Sequence, residues 1–206
     1  LTRGELGTRG TAEIRDGEAR KAAAVMQLTA RENLQVADGF FEINEINIKK
    51  VISVIRKYQP EIVLCNAIED RHPDHGRSAK LVSEACFLAG LRKIETTTEA
   101  GAVQAAWRPK YTFHYIQDRY LKPDFVFDIS TEMDAKMQAV LAYGTQFYSN
   151  DSKEPQTYIS TPEFLETVTA RALLLGKRIG VKYAEGYLTT KAIGINNFDA
   201  IIKENT

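Results

Sequence analysis

The chain has 206 residues, 27 basic and 27 acidic, so its net charge is zero, and 44% of its residues are hydrophobic. That length supports one well-buried domain, and no Pro-, Gly- or Ser-rich linker divides it. Balanced charge argues against electrostatic binding to nucleic acid or to a membrane surface, and no apolar run approaches the roughly 20 residues of a membrane span.

The first predicted element is a helix from Ile14 to Gln27, with Ala19, Ala22, Ala23 and Met26 on one face. Leu34 to Ala37 reads as a short strand. Ile48, Val51, Ile52 and Ile55 mark the next helix, which stops before Pro60. Glu61 to Asn66 is an apolar run of strand length. From Pro73 a helix follows, with Ala79, Val82, Ala85 or Cys86, and Ala89 at helical spacing and Gly90 as its stop. Tyr111 to Gln117 and Phe125 to Ile129 are further strands. Ser130 is expected to cap a helix running to about Gln146, with Glu132 and Asp134 in its first turn. A long polar loop, Phe147 to Ser160, has the length of a lid or interface segment. Thr161-Pro162-Glu163 opens the last helix, whose Leu165, Val168, Ala172, Leu175 and Ile179 face a core. Strands alternating with helices predict an α/β fold, a Rossmann-like, mostly parallel sheet with helices on both faces. Cys65 and Cys86 lack metal-type spacing and read as buried free thiols in a reducing, cytoplasmic compartment.

The segment Glu69-Asp70-Arg71-His72-Pro73-Asp74-His75 gathers two of the three histidines at a strand-to-helix junction. Ligands of such sheets bind at the carboxyl ends of strands. Pro73 suits the first helical position, which puts His72 at the cap and Asp74 and His75 in the first turn. Imidazole both binds zinc and moves protons near neutral pH. Asp74 is placed to orient His72, as carboxylates do beside working histidines. The alternative is two solvated imidazoles at a helix start, with Asp74 serving the helix dipole. Elsewhere, His114 alternates within a strand and reads as structural, and Trp107 and Arg108 read as packing. Gln117, at a strand end, is a candidate substrate contact. Glu185 fits either an active-site wall or an oligomer contact.

Asp70-Arg71-His72-Pro73-Asp74-His75 resembles a signature of the LmbE-like, or PIG-L, zinc deacetylases. The segment from Leu1 to Thr11 resembles the family's loop after its second strand. Arg15 with Glu18-Ala19 is similar to its R-x-x-E-A helix, and Tyr183-Ala184-Glu185-Gly186-Tyr187 to its Y-A-E-G-F segment. The bacillithiol-pathway N-acetylglucosaminyl-malate deacetylases are the branch it most resembles. The resemblance implies one zinc ion per subunit with His75 as a ligand. It makes His72 the residue that polarises the amide carbonyl or protonates the leaving amine, and Asp74 its partner. It places Arg15, Arg71, Glu5, Gln117 and Tyr158 at the substrate. The implied reaction removes the N-acetyl group from an N-acetylglucosaminyl compound, a small amino-sugar substrate, in a homo-oligomer, trimer or hexamer.

Two departures qualify that expectation. The family's A-H-P-D-D motif, which supplies its other zinc ligands and general base, does not occur in these 206 residues. Residues 1–206 are therefore expected to form a single deacetylase domain without its N-terminal strand and metal motif, completed by a preceding segment. Gly39 stands where the family often carries the arginine of a P-D-R sequence. The competing expectations are a non-catalytic sugar-binding domain that lacks the metal half-site, or a zinc amidohydrolase for another acylated amine.

Overall fold

The computed structural model describes residues 1–150 and 152–201. Its elements run α1 (Ala12–Val25), α2 (Glu45–Tyr58), β1 (Ile62–Cys65), α3 (Pro73–Leu88), β2 (Tyr111–Tyr115), β3 (Phe125–Asp128), α4 (Met133–Leu141), α5 (Pro162–Arg178) and β4 (Ala184–Thr189), followed by a 3-10 turn, Phe198–Ile201. The starts of α3 and α5 follow the capping chemistry read from the sequence, and α1 and α2 start on caps of the same kind. Thr11, Asn44 and Thr161 each accept a backbone N–H three residues on, and Pro73 and Pro162 occupy first-turn positions where no N–H is needed.

The four strands form one sheet in the order β1-β2-β4-β3. The α/β class is as expected, but the parallel character is confined to β1 with β2; β4 pairs antiparallel with both β2 and β3. β4 is the Tyr-Ala-Glu-Gly-Tyr segment, read as a motif and not as a strand. Its Gly186 lies where a Cβ would come within 3.0 Å of Ile116 and 3.3 Å of Leu175, so close packing of α5 on the sheet selects glycine there.

Two further expectations are corrected. Leu34 to Ala37 forms no strand: Gln35 sits at φ 49°, in the left-handed region, which interrupts an extended run. Val36 is nonetheless buried in the core. Ser130 does not cap α4, whose N-cap is Glu132 and whose last residue is Leu141. The Ser130 hydroxyl instead donates to Asp128 at 2.6 Å and accepts the N–H of Tyr183 at 3.1 Å, tying the end of β3 to the start of β4.

The main core lies between α2 and α3, where Val51, Ile52, Ile55, Leu81, Ala85 and Cys86 are buried together with Phe41. α3 and α5 pack on the sheet face carrying His114 and Gly186, and α4 reaches β4 through Lys136, which pairs with Glu185. On the opposite face Ile62, Leu64 and Phe127 stay more than half exposed beside a ladder of Tyr111, Phe113, Phe125 and Tyr187. Among the described residues no helix is long and apolar enough to cross a membrane.

Candidate active site

The carboxyl end of β1 leads through Asn66 to the loop that holds both helix-start histidines. His72 is the N-cap of α3, as expected, and its Nδ1 accepts the backbone N–H of Asp74 at 3.2 Å. An Nδ1 that accepts must carry its lone pair, so the proton of the neutral ring sits on Nε2. His75 is set the other way. Its Nδ1 lies 2.5 Å from Oδ2 of Asp70, whose side chain is 1% exposed. A carboxylate only accepts, so His75 donates from Nδ1, and in the neutral ring the lone pair is then on Nε2. The two rings, with centroids 5.5 Å apart, thus present one N–H donor and one ligand nitrogen.

Asp70 is the residue that sequence reasoning passed over. Its Oδ1 accepts the backbone N–H groups of Asp118 at 3.1 Å and Arg119 at 2.8 Å, while Oδ2 holds His75. Burial pushes its carboxyl up, but the N–H of Arg119, then His75 and the N–H of Arg71, outweigh burial and hold it below the usual value. The available signal was local: an aspartate five residues ahead of a helix-start histidine, in a loop already rich in chemistry.

Asp74 does not orient the His72 ring with its carboxylate. That group accepts the N–H of Gly39 at 2.8 Å and pairs with Arg77 at 2.5 Å, while Arg77 also donates to the carbonyl of Gly39. Asp74 therefore braces the Asp38–Gly39 turn against α3, and its backbone N–H is what orients His72.

The other predicted residues divide into two groups. Arg71, Gln117 and Tyr158 gather beside the histidines. Gln117 accepts from Asn66 at 3.0 Å, joining the ends of β2 and β1. The Arg71 guanidinium sits 4.6 Å from the Tyr158 ring centroid, with its Nε 3.2 Å from Asp118. Arg15 and Glu5 serve the flanking loop. Arg15 is buried, donates to the Arg9 carbonyl at 3.0 Å, and lies so close beneath Gly4 and Gly7 that a Cβ on Gly7 would collide with it. It supports the loop instead of reaching into an open pocket. Glu5 accepts the N–H of Asp38 at 2.9 Å and that of Arg3 at 3.1 Å, linking the loop to the turn braced by Asp74. His114 is structural as expected, buried against the Asn66 carbonyl, Ser83 and Cys65. Both cysteines are buried and free. Glu185 pairs with Lys136 and accepts from Tyr187.

Catalytic zinc generally takes three protein ligands. The free Nε2 of His75, backed by Asp70, fits one such position. Among the described residues no three His, Cys, Asp or Glu side chains converge to hold a metal ion.

Comparison with known proteins places this geometry. A family profile described as PIG-L, GlcNAc-PI de-N-acetylase, matches residues 1–86. A diacetylchitobiose deacetylase of Thermococcus kodakarensis is 28% identical over 188 residues, 90% of this chain. The chain spans 66% of that relative's length, just under two thirds. The crystal structure of the conserved protein TT1542 from Thermus thermophilus is 30% identical, with a TM-score of 0.80 over 95% of this chain and 82% of that one. The 4-carboxy-2-hydroxymuconate hydratase GalB of Pseudomonas putida is 19% identical, with a TM-score of 0.74 over 96% of this chain and 84% of that one. The last likeness is one of fold, and it pairs that fold with a different reaction.

Proposed function

We propose that this chain, which belongs to the PIG-L/LmbE-like deacetylase family, hydrolyses the N-acetyl group of an N-acetylglucosaminyl compound with the help of one zinc ion per subunit. The observation that carries the reading is the pair of opposite Nδ1 contacts at the start of α3, Asp70 on His75 and the Asp74 N–H on His72; in the neutral rings these leave His75 Nε2 as a ligand and His72 Nε2–H as a donor. The diacetylchitobiose deacetylase relative supports an N-acetylated amino sugar as substrate. N-acetylglucosaminyl-malate is the specific substrate we favour, in a homo-oligomer.

When bound, zinc supplies an acidified water at neutral pH. Of the three protein ligands such a zinc takes, His75 would supply one. His72 donates its Nε2–H to the scissile carbonyl oxygen as negative charge grows there, or passes that proton to the departing amine. Asp70 holds His75 in the ligand tautomer, a role that outer-sphere carboxylates commonly play beside metal-binding histidine. Arg71, Tyr158 and Gln117 bind the sugar and its aglycone. Glu5, Asp74 and Arg15 hold the neighbouring loops in place.

The test is amine release by the full-length protein from N,N'-diacetylchitobiose and N-acetylglucosaminyl-malate, beside a zinc-content measurement. His72→Ala should keep zinc and lose turnover by about 10²- to 10⁴-fold, as for a removed general acid. His75→Ala should lose zinc as well. A zinc-loaded protein that releases amine from neither substrate sinks the deacetylase reading, and a fully active His72→Ala sinks the role of His72.

A non-catalytic sugar-binding domain is the second reading, favoured by the lack of a three-ligand cluster among the described residues. It predicts saturable binding of the same sugars with no zinc and no amine release.

A further inference from the structure

We infer that Asp118 is a positioning residue, which sets the substrate-facing geometry of Arg71 and Tyr158 without taking part in the metal half of the site. The inference rests on the deacetylase reading above, in which Arg71 and Tyr158 touch substrate.

Asp118 lies just beyond β2, 17% exposed at its side chain, and three side chains converge on it from separate parts of the chain. Nε of Arg71 is 3.2 Å from Oδ2. The Tyr158 hydroxyl donates to Oδ1 at 3.5 Å. From α5, Arg171 donates to the Asp118 carbonyl at 3.3 Å and lies 3.9 Å from Oδ1. Arg71 and Tyr158 are themselves 41% and 60% exposed, so without an anchor each would sample several rotamers. Asp118 holds Arg71 by Nε. The guanidinium then lies over the Tyr158 ring, which in turn meets Phe164 edge-on at 5.6 Å. One carboxylate thus fixes a cation and a ring that belong to two different loops.

The connection to the metal side runs through backbone, not through the Asp118 side chain. The N–H groups of Asp118 and Arg119 bind Oδ1 of Asp70, and Oδ2 of Asp70 holds His75. Truncating Asp118 therefore leaves every bond to Asp70 in place. The two halves of the site should separate cleanly under mutation.

The experiment uses the full-length protein with N,N'-diacetylchitobiose as probe. Asp118→Ala should raise KM about tenfold with kcat within about twofold and with zinc binding unchanged, the pattern of lost binding that is uniform along the reaction. Asp118→Asn, which keeps an acceptor for Arg71, should recover most of that loss. Asp118→Ala combined with Arg71→Ala should cost clearly less than the sum of the two single losses, because they share one unit. Additive losses, or a fall in zinc affinity with Asp118→Ala, would overturn the inference. If the zinc-loaded unmodified protein releases amine from neither N,N'-diacetylchitobiose nor N-acetylglucosaminyl-malate, the deacetylase reading fails by itself, and hydrogen exchange then decides the role of Asp118. Asp118→Ala and Asp118→Asn should speed exchange at residues 157–160, strongly and weakly in turn, and leave the amides of residues 118 and 119 protected. Unchanged exchange at 157–160 in both variants refutes the positioning role.

Discussion

Replacing Asp70 by Asn tests the tautomer argument most directly. The side chain is 1% exposed and keeps its shape on substitution, so the change is one of hydrogen-bond polarity. An asparagine oxygen can still accept from the N–H groups of Asp118 and Arg119, which places its NH₂ toward Nδ1 of His75. Two donors cannot face each other, so the His75 proton moves to Nε2 and the ligand lone pair turns inward. Zinc affinity should fall about 10- to 100-fold, roughly 1.4–2.7 kcal/mol, the usual cost of losing an outer-sphere partner. Exchanging a charge-assisted bond for a neutral contact should lower folding stability by about 1–2 kcal/mol. Chelator competition measures the first quantity and urea unfolding the second. Nitrogen chemical shifts of His75 in the metal-free protein report the tautomer itself. An Asp70→Asn protein with unaltered zinc affinity and an unaltered His75 tautomer would refute the reasoning.

Two further predictions concern stability. In Gly176→Ala, the new Cβ on α5 would lie 2.7 Å from the Lys182 carbonyl oxygen and 2.8 Å from its carbon, backbone that cannot swing aside. The cost should be about 1–3 kcal/mol of overpacking, seen as a lower urea midpoint with an unchanged slope; an unchanged midpoint would show that the 181–182 turn yields. Burial, with Cys86 as a lesser neighbour, pushes the Cys65 thiol up to about 12 from an ordinary 9.0. The unfolded thiol therefore ionises first, and stability should drop as pH rises from 9 toward 12, by about 1.4 kcal/mol at pH 10 from this group. Native protein should also resist thiol reagents at pH 8; a stability flat from pH 8 to pH 10 would count against the burial argument.

Helices were legible where local chemistry fixes their ends. Thr161-Pro162 and His72-Pro73 each pair a cap with a preorganised first residue, and both helices start there. α4 was overread because Ser130 is a good cap in isolation, yet its hydroxyl is taken by Asp128 and Tyr183, the latter 53 residues away. β4 was missed as a strand because Gly186 and Glu185 have low strand propensity. Close contact with Ile116, Pro123 and Leu175 favours a residue without a Cβ there, and such contact has no local signature. Its antiparallel insertion between β2 and β3 was equally unreadable, since alternation of helices and strands speaks for parallel crossovers unless a late strand returns to the middle of the sheet.

The candidate site divides along the same line. His72, Pro73, Asp74 and His75 are neighbours in sequence, and the cap that orients His72 is made two residues away, so a seven-residue segment shows the pair. What that segment cannot show is which acidic group serves which histidine. Both Asp70 and Asp74 lie within five residues of His75, and helical geometry alone makes Asp74 the natural partner of His72. The assignment is decided by groups outside that segment: Gly39 and Arg77 claim Asp74, and the N–H groups of Asp118 and Arg119 lock Asp70 against His75. The setting of Arg15 is likewise not legible locally, since the absent side chains of Gly4 and Gly7 make room for it beneath the loop. Buried polar groups bind whatever satisfies them in three dimensions, so their partners are set by packing and not by spacing. The chemistry of this site is written locally, as is the cap that orients His72, whereas the lock that sets Asp70 against His75 comes from N–H groups 48 and 49 residues away.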